Sequence, residues 1–321
     1  MNDIFKSILK EELMLFMEFI KLSIIDWKGY QGTLLSFDSF LHTECLIEKK
    51  IDAQLISRWL DGLNVQLSTK KGRLSQIKKF SDYLSTLGII ANLPELPRNT
   101  REFKPYVYSI DEITQIFEVA DDLLFTKPHV KIMAEFPVLL RILYGCGLRL
   151  GEAASLKWDD IDLSAGVITV KKAKNKKQRI VPMGDELARI LILYKKSPCF
   201  DAQVCNFLFS NDNGQCRSEA AYWSVFNRIL CDLGIKNSQS VKHSPRGPCI
   251  HSLRHTFTFH SLLKAEAEGR GFMETVPFLS TYLGHESLMH TDKYLKARHE
   301  LYTKSHEVIS DYTHDVFPQD V

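Results

Sequence analysis

The chain has 321 residues, of which 45% are hydrophobic and 25% charged, and its formal net charge is +2. These values are ordinary for a globular protein, so they exclude a disordered chain and a fibrous repeat. Seven cysteines are scattered without a C-x-x-C pair, which favours reduced thiols over a disulfide framework. No stretch approaches the roughly 18 apolar residues of a membrane span. We therefore expect a cytoplasmic protein that has no contact with a membrane.

Apolar residues at helical spacing dominate the first part of the chain. They predict four helices and no strand, in the segments 5–25, 34–41, 55–63 and 74–87. A stretch with three prolines among charged residues then follows at 92–106, and it cannot continue a helix. The sequence therefore predicts a helical domain over 1–91, a linker over 92–106, and a second domain over 107–321.

The second domain begins with a helix start signal, since Ser109 and Glu112 have the spacing of a capping box. Two β-branched runs, 166–170 and 179–182, predict neighbouring strands of a small sheet. Helical patterns surround them, at 113–125, 132–144, from 149, 186–194, 219–233, 250–263, 275–283 and 288–295. The predicted fold is mainly α with a small β-sheet.

A basic stretch joins the two predicted strands. Six of its nine residues are cations, namely Lys171, Lys172, Lys174, Lys176, Lys177 and Arg179. A cluster of this kind favours contact with a polyanion, although a solvated turn would have the same composition.

The segment Gly145-Cys-Gly-Leu-Arg149 places an arginine after a glycine turn, where a helix begins. A guanidinium beside helix N-terminal amides can bind a phosphate, whereas taken alone such an arginine is usually a surface group. The glycines do not form a dinucleotide fingerprint, because no strand precedes them. Glu152 follows one turn later and either orients Arg149 or lies at the surface.

The third element is His251-Ser-Leu-Arg254-His255. Residues three apart share a helix face, so His251 and Arg254 can act on one target. A metal site on His251 and His255 is the alternative, but it lacks the glutamate of H-E-x-x-H. The last element is Leu-Gly-His285, followed nine residues later by Tyr294, and a lone tyrosine is more often a packing residue.

Together these elements resemble the tyrosine recombinase family, which includes the phage integrases and the Xer proteins. The resemblance rests on six positions in order and spacing: Arg149, Lys174, His251, Arg254, His285 and Tyr294. The hairpin K-N-K-K-Q-R-I-V-P around Lys174 and the step from His285 to Tyr294 also match.

The resemblance implies a two-domain DNA clamp, with a helical, SAM-like core-binding domain and a mixed α/β catalytic domain. Tyr294 would attack the scissile phosphate and form a 3′-phosphotyrosine without ATP. Arg149 and Arg254 would bind that phosphate, because their planar forks match its oxygens. Among the proton-transfer and hydrogen-bonding groups, His251 would act as base, Lys174 as acid and His285 as donor to the phosphate.

The implied partners are double-stranded recombination sites, and the basic stretch predicts further DNA contacts by Lys171, Lys172, Lys176, Lys177 and Arg179. The resemblance further implies a homotetramer or a hetero-oligomer with related recombinases, accessory directionality proteins, and activity at the nucleoid. We expect no cofactor and no metal. The departures are a long segment between Arg254 and His285, and no additional arm-binding module ahead of the first domain.

Three other classes remain open at this point. A catalytically silent DNA-binding relative would lack an active-site member, and a type IB topoisomerase-like enzyme would share the chemistry without a target site. A metal-dependent helical protein would use the cysteines and histidines.

Overall fold

The computed structural model describes residues 4–22, 27–96, 105–126, 131–171, 178–197, 206–236 and 247–284. The chain divides into two compact units, Met1–Glu102 and Phe103–Val321, and each has its own hydrophobic core. The boundary lies within the stretch 92–106 that the prolines mark. The mainly helical fold with a small sheet is confirmed.

The first unit consists of helices in its described part, as the apolar spacing predicts. They are α1 (Lys10–Leu22), α2 (Trp27–Thr43), α3 (Ala53–Gly62) and α4 (Leu67–Thr86). Aromatic side chains fill the core, with Phe16 and Phe80 at a ring-centroid distance of 5.1 Å and Phe37 edge-on to Trp59 at 5.0 Å. Such pairs stabilise a core beyond their buried area, by about 0.5–1.5 kcal/mol each.

Hydrogen bonds fix both ends of this unit. The carboxylate of Asp38 accepts from the amides of Lys6 at 2.8 Å and Ser7 at 2.9 Å, just before α1. At the other end, the amide of Asn92 donates to the carbonyl of Ile51 at 2.9 Å. The beginning of the predicted linker is therefore attached to the first unit.

The second unit contains seven α-helices among its described residues. They are α5 (Ile110–Thr126), α6 (Lys131–Cys146), α7 (Leu150–Ala154), α8 (Asp185–Lys196), α9 (Glu219–Asp232), α10 (Ser252–Ala267) and α11 (Phe272–Leu283). The capping box before α5 is confirmed: Ser109 donates its amide to Glu112 at 2.8 Å, and the Glu112 amide donates to the Ser109 hydroxyl at 3.1 Å.

The sheet has three antiparallel strands in the order β1 (Ile161–Asp162), β2 (Val167–Val170) and β3 (Arg179–Pro182). The strands β2 and β3 are those that the β-branched runs predict, while β1 was not predicted. Val170 pairs with Arg179 at the hairpin end of the ladder, and Val170 and Val181 point into the core.

Helix α6 is the centre of this unit, because all but a few of its residues are buried. Its Glu135 is fully buried and accepts from the Ser210 amide at 3.0 Å, Arg217 Nε at 2.8 Å and the Tyr222 hydroxyl at 3.1 Å. A buried carboxylate is tolerated only when it is paired in this way. The network joins α6 to α9 and to the segment between α8 and α9.

The long segment after Arg254 is mostly helical. Helix α10 extends to Ala267, and a turn with Gly269 at φ +81° leads into α11. In the part of the chain that the structure covers, no helix combines the length and the apolar composition that a membrane crossing requires.

Candidate active site

Arg149 lies between a tight glycine turn and the first residue of α7. Gly147 has φ +59°, and a β-carbon there would lie 2.3 Å from Cδ1 of Phe257, so only glycine fits. Arg149 Nη1 donates to Glu152 Oε1 at 2.9 Å, and the Arg149 amide donates to Oε2 at 3.0 Å. The side chain is 28% exposed, so its guanidinium is held from one side and accessible from another.

Glu152 is the shared partner of two arginines. It is buried and accepts from Arg149 and from both terminal nitrogens of Arg179, at 3.0 and 2.8 Å. Burial opposes its ionisation, but the hydrogen bonds from Arg179 and Arg149 and their charges outweigh it and lower the pKa of Glu152 to about 2. The carboxylate therefore orients Arg149, and the alternative of a surface glutamate is wrong.

Arg179 faces the interior from the start of β3. Besides its two bonds to Glu152, its Nε donates to the carbonyl of Tyr282 at 3.0 Å, and only 11% of the side chain is exposed. The basic composition of the stretch 171–179 predicts that Arg179 is one of the DNA-contacting cations. Because its donors are directed to Glu152 and Tyr282 inside the unit, it is better described as part of the site's internal framework.

Arg254 is buried near the beginning of α10, with a relative exposure of 3%. Its Nη1 donates to the carbonyl of Gly147 and its Nη2 to the carbonyl of Leu283, both at 2.7 Å. These short, charge-assisted bonds join the turn before Arg149 to the end of α11.

The end of α11 carries consecutive carbonyls that accept from two different arginines. Tyr282 accepts from Arg179 and Leu283 accepts from Arg254. The last carbonyls of a helix lack intrahelical donors and carry partial negative charge, so guanidinium groups satisfy them well. Gly284 then ends the helix at φ +66°, and His285 is the next residue.

His251 lies at the residue before α10 and is exposed, and its ring centroid is 5.1 Å from that of His255. It belongs to the same turn as Arg254 but to a different environment, since Arg254 is buried. Among the residues with described positions, no three histidine, cysteine, aspartate or glutamate side chains are grouped to hold a metal ion.

Lys171 follows β2 and pairs with the buried Asp160 at 2.5 Å while about half of its side chain stays exposed. The hydrogen bond from Lys171 to Asp160 raises the pKa of the lysine. The remaining predicted site residues lie outside the described residues: Lys172, Lys174, Lys176, Lys177, His285 and Tyr294.

Two residues that were not predicted from the sequence also support the site. Phe257 packs over Gly147 and stacks on the ring of Tyr282 at 5.6 Å. Tyr108 donates its amide to the Thr256 hydroxyl at 2.9 Å and its own hydroxyl to the Cys249 carbonyl at 3.0 Å. No motif marks either residue, because each acts through packing with segments distant in sequence.

Comparison with known proteins identifies the family of this chain. The model of the phage integrase family matches residues 109–300. A tyrosine recombinase XerC of Staphylococcus aureus is 30% identical over 275 residues, covering 83% of this chain and 84% of its own. XerC of Oceanobacillus iheyensis is 29% identical over 303 residues, covering 87% and 89%.

Solved structures agree in fold. The XerH recombinase bound to its difH substrate matches 91% of this chain and 83% of its own with a TM-score of 0.61 and 20% identity. The Tn1549 transposon integrase in complex with transposon right end DNA matches 91% of this chain and 98% of its own, with a TM-score of 0.63 and 17% identity.

The matched fold and relatives define a class, that of tyrosine-type site-specific DNA recombinases. Within that class, the chain belongs to the phage integrase family.

Proposed function

We propose that this recombinase cuts DNA by attack of the Tyr294 hydroxyl on the scissile phosphate. The attack forms a 3′-phosphotyrosyl ester and releases a 5′-hydroxyl, and the reverse attack on a new partner strand rejoins the DNA. Because the ester conserves the phosphodiester bond energy, the cycle needs no ATP. The observation that carries the proposal is the pair of hydrogen bonds from Arg254 to the carbonyls of Gly147 and Leu283. These bonds link the turn before Arg149 to Leu283, which lies two positions before His285 in the sequence.

In this mechanism Arg149 and Arg254 neutralise charge on the non-bridging phosphate oxygens. Two guanidinium groups pair with the single carboxylate of Glu152, and Arg254 adds a third cation that is bound to the carbonyls of Gly147 and Leu283, so an excess of positive charge remains at the site for a phosphate. A phosphoryl-transfer site works mainly by positioning and charge stabilisation, and fixed cations in a partly dry environment supply both. Arg149 offers the more accessible guanidinium, and Arg254 contributes charge and alignment.

Proton transfer and a hydrogen bond to the phosphate are assigned to three further groups. His251 takes the proton from Tyr294, whose reference pKa of about 10 makes it a weak nucleophile without help. His285 donates a hydrogen bond to the phosphate. Lys174 gives a proton to the 5′-oxygen as it leaves, a role typically worth about 10²–10⁴ in rate.

The proposed DNA contacts outside the catalytic residues are Lys171, Lys172, Lys176 and Lys177, on the hairpin between β2 and β3. They would bind phosphates, which fixes the position of the protein without reading bases. We also assign residues 1–91, which lie within the first unit, to DNA binding as a core-binding domain, with 92–106 as its linker.

We further propose that the active species is an oligomer on DNA, in which a homotetramer, or a hetero-oligomer with related recombinases, pairs two recombination sites. Lambda integrase, which shares the fold, is a dimer on a core site. The proposed cellular role is either movement of a mobile element or resolution of chromosomal DNA at the nucleoid. Accessory proteins would set the direction.

The test is trapping on nicked duplexes that carry candidate recombination sites from the DNA flanking the gene. Wild-type protein should give a protein–DNA band that resists SDS, and Tyr294→Phe should bind the same DNA without giving the band. Tyr282→Phe is the matched control, because its hydroxyl makes only a 3.5 Å contact to the Pro182 carbonyl, and it should give the band. A band that survives in Tyr294→Phe would overturn the assignment of the nucleophile.

A further inference from the structure

We propose that Arg179 is a positioning residue for the recombination reaction, holding catalytic Arg149 and the turn that leads to His285 in one arrangement. The inference rests on the proposed function, since it assigns no contact with DNA to Arg179 itself. It replaces the expectation, drawn from charge alone, that Arg179 binds the polyanion.

The guanidinium of Arg179 binds two different groups within the protein. Arg179 uses all three of its nitrogens within the protein, two on the Glu152 carboxylate at 3.0 and 2.8 Å and one on the Tyr282 carbonyl at 3.0 Å. A guanidinium is planar and its donors diverge at fixed angles, so these bonds set the orientation of both acceptors. A lysine has one nitrogen and cannot reproduce the fork.

Arg179 is connected to the catalytic Arg149 through Glu152. Glu152 receives Arg149 and Arg179 on the same carboxylate, and Oε1 accepts from both. Turning or losing Arg179 would therefore leave the buried carboxylate with Arg149 alone, and the Arg149 side chain would be drawn toward it. The Arg149 fork would then leave the position that faces a phosphate.

Arg179 also contacts the end of α11. Its Nε bond satisfies the carbonyl of Tyr282, and a β-carbon at Gly284 would come within 3.3 Å of Arg179 Cδ. The backbone that precedes His285 thus lies against the aliphatic part of this arginine. Arg254 holds the neighbouring carbonyl of Leu283, so each arginine fixes one of two consecutive peptide groups.

Arg179 also occupies a defined position in the hairpin of β2 and β3. Arg179 is the first residue of β3 and pairs with Val170 of β2, so it fixes one end of the basic connection that includes Lys174. The Arg179 side chain therefore links Glu152 of α7 to the end of α11, while its backbone lies at the end of the basic connection.

A substrate comparison separates positioning from simple stabilisation. Single-turnover cleavage is measured on a nicked site with an ordinary scissile phosphate and on one with a methylphosphonate, which lacks one negatively charged oxygen. Misplacing a catalytic group by about 1 Å can cost around 100-fold in rate, so Arg179→Lys should lose about that factor on the phosphate. It should lose much less on the methylphosphonate, because the neutral centre depends less on a well-placed Arg149.

Arg141→Lys is the matched control. Arg141 is also a buried arginine with a two-pronged carboxylate partner, donating to Asp121 at 2.8 and 2.7 Å with 6% of its side chain exposed. It lies on α6, where its guanidinium donates to Asp121 and to the carbonyl of Pro137 rather than to Glu152 or α11. Its replacement should lower the melting temperature as much as Arg179→Lys does while leaving the ratio of the two cleavage rates unchanged.

Two further measurements keep the inference testable if Arg179→Lys folds poorly. Glu152→Gln, which keeps the shape of the shared partner, should show the same selective loss on the phosphate. Combined with Arg149→Ala, the Arg179→Lys change should cost little more, since both act through one group. Equal losses on both substrates, or independent losses in the double variant, would overturn the inference. Failure of the proposed function would show separately, as absence of cleavage by wild type.

Discussion

Arg254 and Leu283 are 29 residues apart in sequence, yet Arg254 Nη2 donates to the Leu283 carbonyl at 2.7 Å. This bond attaches α10 to the end of α11, where the chain turns through Gly284 toward His285. The buried arginine is therefore a framework for the site as well as a source of charge.

We predict that Arg254→Lys destabilises the second unit by about 2–3 kcal/mol, because a lysine satisfies one of the two carbonyls and a hydrogen bond to a charged group contributes about 1.5–3 kcal/mol. Urea unfolding measures the loss. The control is Arg228→Lys, the same change at an exposed position of α9, which should alter stability by less than about 0.5 kcal/mol. Equal stabilities of the two variants would show that the carbonyl contacts do not hold the helix end.

A second prediction concerns the turn before Arg149. Gly147→Ala has to adopt φ +59° and place its β-carbon 2.3 Å from Phe257. Gly234→Ala has φ +70° and open space around it, so it carries only the backbone cost of about 1–2 kcal/mol. We expect Gly147→Ala to lose a further 1–3 kcal/mol or so from overpacking, measured by urea unfolding. If both glycines proved equally costly to replace, the close packing of Phe257 would not be significant.

The ionisation of Glu152 predicts a dependence of stability on pH. Its pKa is about 2 in the folded protein against an ordinary value of 4.5. A lowered folded pKa contributes stability that is fully present above about pH 5 and is lost as the pH falls from 4.5 toward 2. The full effect is on the order of 3 kcal/mol.

The measurement compares unfolding of wild type and Glu152→Gln between pH 3 and pH 7. The advantage of wild type should be constant from pH 7 to about pH 5 and should shrink below it. An advantage that stays the same down to pH 3 would contradict the ionised, doubly paired carboxylate.

The proposed acid role of Lys174 gives a fourth prediction. Lys174→Ala should slow cleavage by about 10²–10⁴ on a normal substrate, since the 5′-oxygen must leave without a proton donor. A substrate with sulfur at that bridging position has a better leaving group, so it should recover most of the rate. Equal slowing on both substrates would exclude Lys174 as the acid. Lys196→Ala is a suitable control, because Lys196 is an exposed lysine at the end of α8 with no proposed contact to DNA.

The sequence predicted elements well where a local rule decides them. The capping box of Ser109 and Glu112 appears as hydrogen bonds, because both partners lie within one helical turn. The short strand β1 was missed because two residues, Ile161 and Asp162, are too few to show an alternating pattern.

The orientation of side chains in β3 was not predictable from composition. Val181 is fully buried and Ile180 is 66% exposed, so strand alternation places Arg179 on the inner face with Val181. The run Arg-Ile-Val-Pro allows either isoleucine or valine to face the core. A basic stretch therefore suggested a DNA contact for an arginine that faces Glu152.

Long-range contacts account for the rest of the difference. Arg254 meets Gly147 across 107 residues, and no sequence spacing predicts that bond. Likewise, Glu152 could be placed one turn from Arg149, but its burial depends on Arg179, which comes from a distant strand.

The most direct test of the central claim is to identify the amino acid that carries the DNA. The trapped wild-type adduct is digested with nuclease and with a glutamate-specific protease, which releases the peptide Ser287–Glu300, and the modified residue is located by mass spectrometry. The account predicts a nucleotide on Tyr294, linked through its hydroxyl to a 3′-phosphate. A nucleotide on any other residue, or a 5′-linkage, would contradict it.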